Sequence, residues 1–164
     1  MYITLRLLVI FLVLFIVTGS TGIADEESIG GINLLPGYHV KKLPGVDVTA
    51  RTIEKPGGII IHFEAGPSEG LAVSPQKNRE YAWSRKQSIN GHLVLLALTR
   101  PGVKSGPDLD KERNLPPGNI LMVSYPLGGQ PDHAANFIGK VANSEEMIDM
   151  LLMTLTFDPA KGNY

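Results

Sequence analysis

Along the chain, apolar and polar positions change period several times, and each change marks an element. Val46, Val48 and Ala50 alternate with Asp47, Thr49 and Arg51, the two-residue period of a strand. Residues 59–65 are rich in β-branched residues, with Ile59, Ile61, Phe63 and Ala65 on one face and His62 and Glu64 on the other. From Glu80 to Ile89 the alternation places Tyr81, Trp83, Arg85, Gln87 and Ile89 together. Asn90-Gly91 then separates this run from the doubly apolar Leu93–Leu98. Asn-Gly between two such runs predicts a type I′ hairpin, because that turn needs positive φ at both central residues. A two-residue loop sets the register: Ile89 faces His92, Gln87 faces Val94, Arg85 faces Leu96 and Trp83 faces Leu98. The second strand, apolar on both faces, is expected to be central, and the more polar first strand nearer an edge.

Residues 120–125 and 135–142 read as two further strands, and then the period lengthens. Asn143 is an N-cap, Glu146 completes a capping box, and Glu145 and Glu146 suit the positive end of a helix dipole. Met147, Ile148, Leu151, Leu152 and Leu155 recur at helical spacing and predict a broad buried stripe, widened by Met150 and Met153 as core filler. Pro159 keeps the helix from resuming. L-P-G-Y-H-V (35–40) and L-P-G-V-D-V (43–48) echo each other, which reads as one turn-then-strand solution used twice. The fold class is therefore α+β: an antiparallel meander packed against a C-terminal helix, in one domain over residues 37–158, with a tail over 159–164.

The N-terminus has a different character. Arg6 precedes the unbroken apolar run Leu7–Val17, small residues follow to Ala24, and then come Asp25, Glu26 and Glu27. This is the layout of a secretory signal peptide over residues 1–24, with Gly22-Ile23-Ala24 as the cleavage site and Thr18-Gly19-Ser20 as a second option. The rival reading is an uncleaved inner-membrane anchor over residues 5–24, although its strong run is short for a span. Both readings export the remainder, to the periplasm or outside the cell. Residues 25–36 then read as a linker.

Composition narrows the chemistry. The chain has no cysteine, which removes disulfides, thiolate metal sites and a cysteine nucleophile. Removing residues 1–24 loses only Arg6, leaving 14 basic side chains, one fewer than in the whole chain, against 16 acidic ones. That balance carries no nucleic-acid or polybasic membrane footprint. No glycine-rich phosphate loop appears, since Gly128-Gly129 precedes no helix and no lysine. Ser124 lacks the strand-to-helix elbow of a hydrolase nucleophile. No catalytic residue and no cofactor is expected.

Three loops interrupt the sheet, at 66–79, 101–118 and 126–134. In a simple meander the first two share one end, away from the Asn-Gly turn, and form a contact surface. Candidate binding residues are Tyr81, Trp83 and Arg85 on their strand, and Lys104, Asp108, Asp110 and Arg113 in the second loop. The strand residues equally suit a face covered by the terminal helix, with Arg85 reaching to the rim. The alternating acids of the loop lack the glycine and distal glutamate of an EF-hand, and basic neighbours weaken any cation site. His62 and Glu64 lie two apart on one strand face. They form a metal site only if His92, His133 or Asp132 joins them, and a half-solvated strand predicts the same pattern.

From Leu35 to Phe157 the order L-P-G-Y, G-G-I-I-I-H-F-E-A-G, Y-A-W-S-R-K-Q, I-N-G, L-M-V-S-Y-P, A-N-F and S-E-E-M-I-D-M-L-L-M-T-L-T-F resembles a group of small exported bacterial proteins without an assigned activity. The meander and the helix ending in T-L-T-F are similar, more loosely, to PsbP/Mog1-type domains. That likeness implies a second helix, for which residues 25–35 or 66–80 offer room, and an assembly or binding role. The expected function is a non-catalytic exported domain binding a partner protein or envelope component. The alternatives are a small metal-assisted hydrolase using His62 and Glu64, or a structural envelope protein without a discrete site.

Overall fold

A computed structural model describes residues 29–43, 49–67, 70–103, 114–128 and 132–162. The segment expected as a signal peptide or anchor (1–24) and the loop candidates Lys104, Asp108, Asp110 and Arg113 lie outside these residues. Seven strands form one antiparallel sheet: β1 (His39–Lys42), β2 (Thr49–Glu54), β3 (Ile60–Pro67), β4 (Tyr81–Ile89), β5 (His92–Thr99), β6 (Ile120–Pro126) and β7 (His133–Lys140). A helix, α1 (Ser144–Thr154), follows. The class is α+β as expected, with 3-10 turns at Pro75–Glu80 and Pro159–Lys161 instead of a second helix among the described residues.

The strand order is β1-β2-β3-β7-β6-β5-β4, which differs from a simple meander. Two meanders, β1-β2-β3 and β4-β5-β6-β7, are joined where β3 pairs with β7, so β7 and β6, buried along most of their length, sit toward the middle, and the doubly apolar β5 lies one strand in from β4. The cause is side-chain matching: Phe63 stands opposite Phe137, and Ala65 opposite Ala135. As a consequence, β3 and β4 are not joined as a hairpin. β3 ends at the Asn-Gly end of the sheet, and residues 70–80 lead to the other end, where β4 begins.

The hairpin register is the expected one, Trp83↔Leu98, Arg85↔Leu96, Gln87↔Val94 and Ile89↔His92. Asn90 (φ 52°) and Gly91 (φ 82°) supply the two positive φ values of the turn. Residues 29–36, expected as a linker, pack into the domain. Ile29 is fully buried, and Gly30 accepts a hydrogen bond from the Asp158 amide at 2.9 Å.

One sheet face carries the main core. Ile53, Ile61, Phe63, Phe137, Val123, Tyr125, Val94 and Leu96 pack there with Met150, Met153 and Phe157. Phe157 is the hub of an aromatic cluster, with ring centroids 4.9 Å from Tyr125, 5.1 Å from Phe137 and 5.9 Å from Phe63. The Tyr125 hydroxyl donates to the Thr154 carbonyl at 2.8 Å, satisfying a helix-end carbonyl, and burial pushes this phenol up to about 12. The helix approaches β7 closely at Gly139, where a Cβ would stand 2.8 Å from Ile59 Cδ1 and 2.9 Å from Met150 Sδ.

The capping box forms, with one shift. Asn143 Oδ1 accepts from the Glu146 amide at 3.0 Å, and Glu146 reaches back to the Ala142 amide at 2.8 Å. The predicted apolar stripe is rotated, however. Met150 and Met153 are fully buried, whereas Ile148 is 52% and Leu152 56% exposed. Pattern alone could not orient the helix, because aliphatic residues occupy more than half its circumference and only the sheet selects the side that is buried.

The side of α1 facing β1 and β2 is fixed by polar contacts. Asp149 Oδ2 accepts from Lys55 Nζ at 2.8 Å and from the Tyr38 hydroxyl at 2.9 Å, and Lys55 lies 4.6 Å from the Tyr38 ring centre. The Lys55 ammonium and the Tyr38 hydroxyl hold the Asp149 carboxyl below its ordinary 3.8, against a smaller opposing effect of burial. Because folding favours the carboxylate, the contribution is complete above 3.8 and is lost as pH falls through the lower folded value. Asp149→Asn is expected to cost about 1–2 kcal/mol near pH 7, a figure reduced for the side chain's partial exposure. In urea titrations the gap between variant and wild type should narrow progressively as pH falls below 3.8; a gap that stays constant through the acid range would contradict the assignment.

On the opposite face, the crossing segment forms a strap with its own small core. Val73 and Ala72 pack on Tyr81, Ala97, Ile120 and Met122. Two buried polar side chains hold it. Asn136 Oδ1 accepts from the Ala72 amide at 3.0 Å and from Ser124 Oγ at 2.8 Å, and Asn136 Nδ2 donates to the Gly70 carbonyl at 2.9 Å. Ser124 Oγ in turn accepts from the Val73 amide at 3.2 Å.

Candidate binding cleft

The side of α1 facing β4 and β5 is left open. Between the helix and the hairpin runs a cleft of about 430 Å³, lined by Trp83, Arg85, Gln87, Leu96, Leu151 and Leu155. The hairpin register places Trp83, Arg85, Gln87 and Leu96 on this face. Leu151 and Leu155 form the opposing wall because the helix buries Met150 and Met153, turning its next apolar row toward β4. Exposed Leu152 and Ile148 continue that row away from the sheet. Leu96 is buried, Trp83, Leu151 and Leu155 are half-buried, and Arg85 and Gln87 are exposed. An apolar cleft with an aromatic wall and a few polar groups at its rim can hold an apolar side chain or a short amphipathic segment.

The sequence candidates are divided among several places. Trp83 and Arg85 meet in the cleft, but Tyr81 does not join them. A register irregularity between Tyr81 and Trp83 inserts Ala82 as an extra residue, which returns Tyr81 to the opposite face. There it is 3% exposed beneath the strap, and its hydroxyl accepts from the Ser74 amide at 3.0 Å. Strict alternation assumes an unbroken ladder, and nothing in Y-A-W announces the bulge. Ser124 is a buried partner of Asn136, and the strap's polar key at Asn136 went unnoticed in the sequence. Its only signal is an amide inside the otherwise apolar run A-A-N-F-I.

His62 and Glu64 share the outer face, opposite Thr52 and Ala50 on β2 and Ile138 and Asn136 on β7. His92 and His133 fall on the helix side of the sheet, by their register with Ile89 and Pro67. Asp132 lies beyond the last β3–β7 pair. Among the described residues no three potential metal-ligating side chains come together. His92 instead lies 3.3 Å from Asp158 Oδ1, beside a second cleft of about 430 Å³ whose lining includes His133 and backbone at Gly66, Gly128 and Gly162. No described helix is long and apolar enough to cross a membrane.

The chain matches no protein family model, and no curated protein and no solved structure is significantly similar to it.

Proposed function

We propose that the protein is an exported, non-catalytic binding domain that holds an amphipathic segment of a partner protein or envelope component in the cleft between β4–β5 and α1. One observation carries this reading: Leu152 and Ile148 are more than half exposed on the helix whose Leu151 and Leu155 wall the cleft opposite Trp83. Exposed aliphatic residues contiguous with a half-buried tryptophan are a feature of recognition surfaces rather than of a face kept only for solubility. The placement outside the cytoplasm rests on Arg6, the apolar run Leu7–Val17 and the small residues before Asp25. The resemblance to small exported proteins and to PsbP/Mog1-type binding domains points the same way, at fold level only. The docking surface thereby moves from the long-loop end to the helix flank.

The absence of cysteine makes a direct test simple. Leu152→Cys labelled with a photo-cross-linker should give a discrete adduct in envelope extracts. The same label at Lys41→Cys, on the far edge, should not, and Leu155→Glu should abolish the Leu152 adduct. Identical adducts from both labels, or none, would remove the reading. Mass spectrometry of the exported chain should find Asp25 at its N-terminus if cleavage follows Ala24.

A further inference from the structure

Resting on that cleft reading, we propose that the free edge of β4 takes an extended, acidic–aliphatic segment of a partner protein as an eighth strand. Alternate aliphatic side chains of that segment enter the cleft beside Trp83.

Among the described residues, strand β4 is one of the two edges of the sheet and pairs only with β5. Beyond the bulge, Trp83–Ile89 offers an unbroken stretch of edge, and all its side chains but Trp83 and Ile89 are exposed. The Asn-Gly turn closes on the Ile89–His92 pair, so Ile89, Gln87 and Arg85 spend their backbone groups on β5. Ser84, Lys86 and Ser88 then turn their N–H and C=O groups outward. Edges with this many unpaired groups are templates for strand addition. The other edge is less suited: β1 has four residues, and His39 and Lys41 lie 3.6 and 4.0 Å from Glu54.

The cleft decides what the added strand presents. Side chains alternate across a sheet, so every second residue of a strand beside β4 lies on the helix face, next to Trp83, Arg85 and Gln87. There Leu151 and Leu155 meet it from the helix. Charge decides the remaining positions. Arg85 and Lys86 are exposed on this strand, Lys77 and Arg79 are exposed in the turn that leads into it, Glu80 is the single acid of residues 77–89, and none of the four cations makes an ion pair with another described residue. Pairing of β4 with β4 of a second copy would bring Arg85 and Lys86 against their own kind, which is destabilising. An acidic strand finds complementary charge instead.

Trp83 is the only tryptophan in the chain, so its fluorescence reports on the cleft directly. The probes are capped eight-residue peptides: alternating Glu/Val, alternating Lys/Val, and the Glu/Val peptide N-methylated at alternate residues on either edge. The Glu/Val peptide should shift Trp83 emission saturably, and bind at least about tenfold tighter than Lys/Val. It should weaken several-fold in 0.5 M salt, and lose affinity when the pairing edge is N-methylated. Arg85→Glu, with Lys86→Glu, should invert the preference. No binding, equal binding of both charges, or full tolerance of N-methylation on both edges would overturn strand addition. If N-methylation is tolerated while Leu155→Glu abolishes binding, the cleft stands and the added strand falls. If Leu155→Glu changes nothing while N-methylation does, the edge pairs but the cleft reading fails.

Discussion

Phe157→Ala is expected to lower stability by about 3–5 kcal/mol, the largest loss of any single truncation proposed for this protein. Phe157 leaves the helix and drops its ring onto Tyr125, Phe137 and Phe63, each from a different central strand. Truncation therefore opens one cavity under three strands at once, and the closely packed β7–α1 contact at Gly139 limits how far the helix can settle into it. Since domains of this size are stable by only about 5–15 kcal/mol, the variant should sit near the threshold for folding. Urea unfolding should show a lower midpoint with an unchanged slope, because the native packing is weakened and the surface exposed on unfolding is similar. Phe157→Leu, which refills part of the volume, should recover much of the loss. A loss below about 1 kcal/mol for alanine would mean that the cluster does not hold the helix to the sheet.

The second large effect is expected on the other face. Asn136→Ala removes the acceptor for the Ala72 amide and the Ser124 hydroxyl, and the donor to the Gly70 carbonyl. Unsatisfied buried polar groups cost more than the hydrogen bonds themselves contribute, so about 2–4 kcal/mol should be lost in total. The damage should be local in kind. Hydrogen exchange at Ala72 and Val73 should accelerate strongly, while amides of β6 and β7 stay protected until global unfolding. Ser124→Ala in the Asn136→Ala background should cost less than it does alone, with a coupling of about 0.5–3 kcal/mol, because the two side chains hold the same strap. Additive losses, or strap amides that exchange at wild-type rates, would show that the strap is held by Val73 and Tyr81 packing alone.

How much of this was legible beforehand differs by element. The hairpin could be read to the residue, since Asn90-Gly91 fixes both turn type and register through local backbone sterics. The capping box was equally readable, and only its reciprocal bond landed one residue early, on Ala142. The cleft is half visible in the sequence: the alternation puts Trp83 and Arg85 on one strand face, while helical spacing alone places Leu151 and Leu155 in a buried stripe. Tyr81 was misplaced by one inserted residue, because a bulge shifts parity without leaving a compositional mark. The loop residues Lys104, Asp108, Asp110 and Arg113 lie outside the described residues, and the N-terminal segment stays a matter of its sequence.

By itself, then, the sequence determined what is local: strand alternation, the Asn-Gly turn, the helix start at Asn143 and the absence of thiol chemistry. These follow from backbone sterics, periodicity and composition within a few residues. The tertiary structure alone decided that β3 pairs with β7, that residues 70–80 strap the outer face, and that α1 buries Met150 and Met153 while turning Leu151 and Leu155 toward β4. Each of these is a choice among surfaces of similar hydrophobicity, settled by which distant partners fit together, such as Phe63 against Phe137 and Asn136 against the strap. Strand pairing likewise decided that His92 and His133 lie on the face of the sheet opposite to His62 and Glu64.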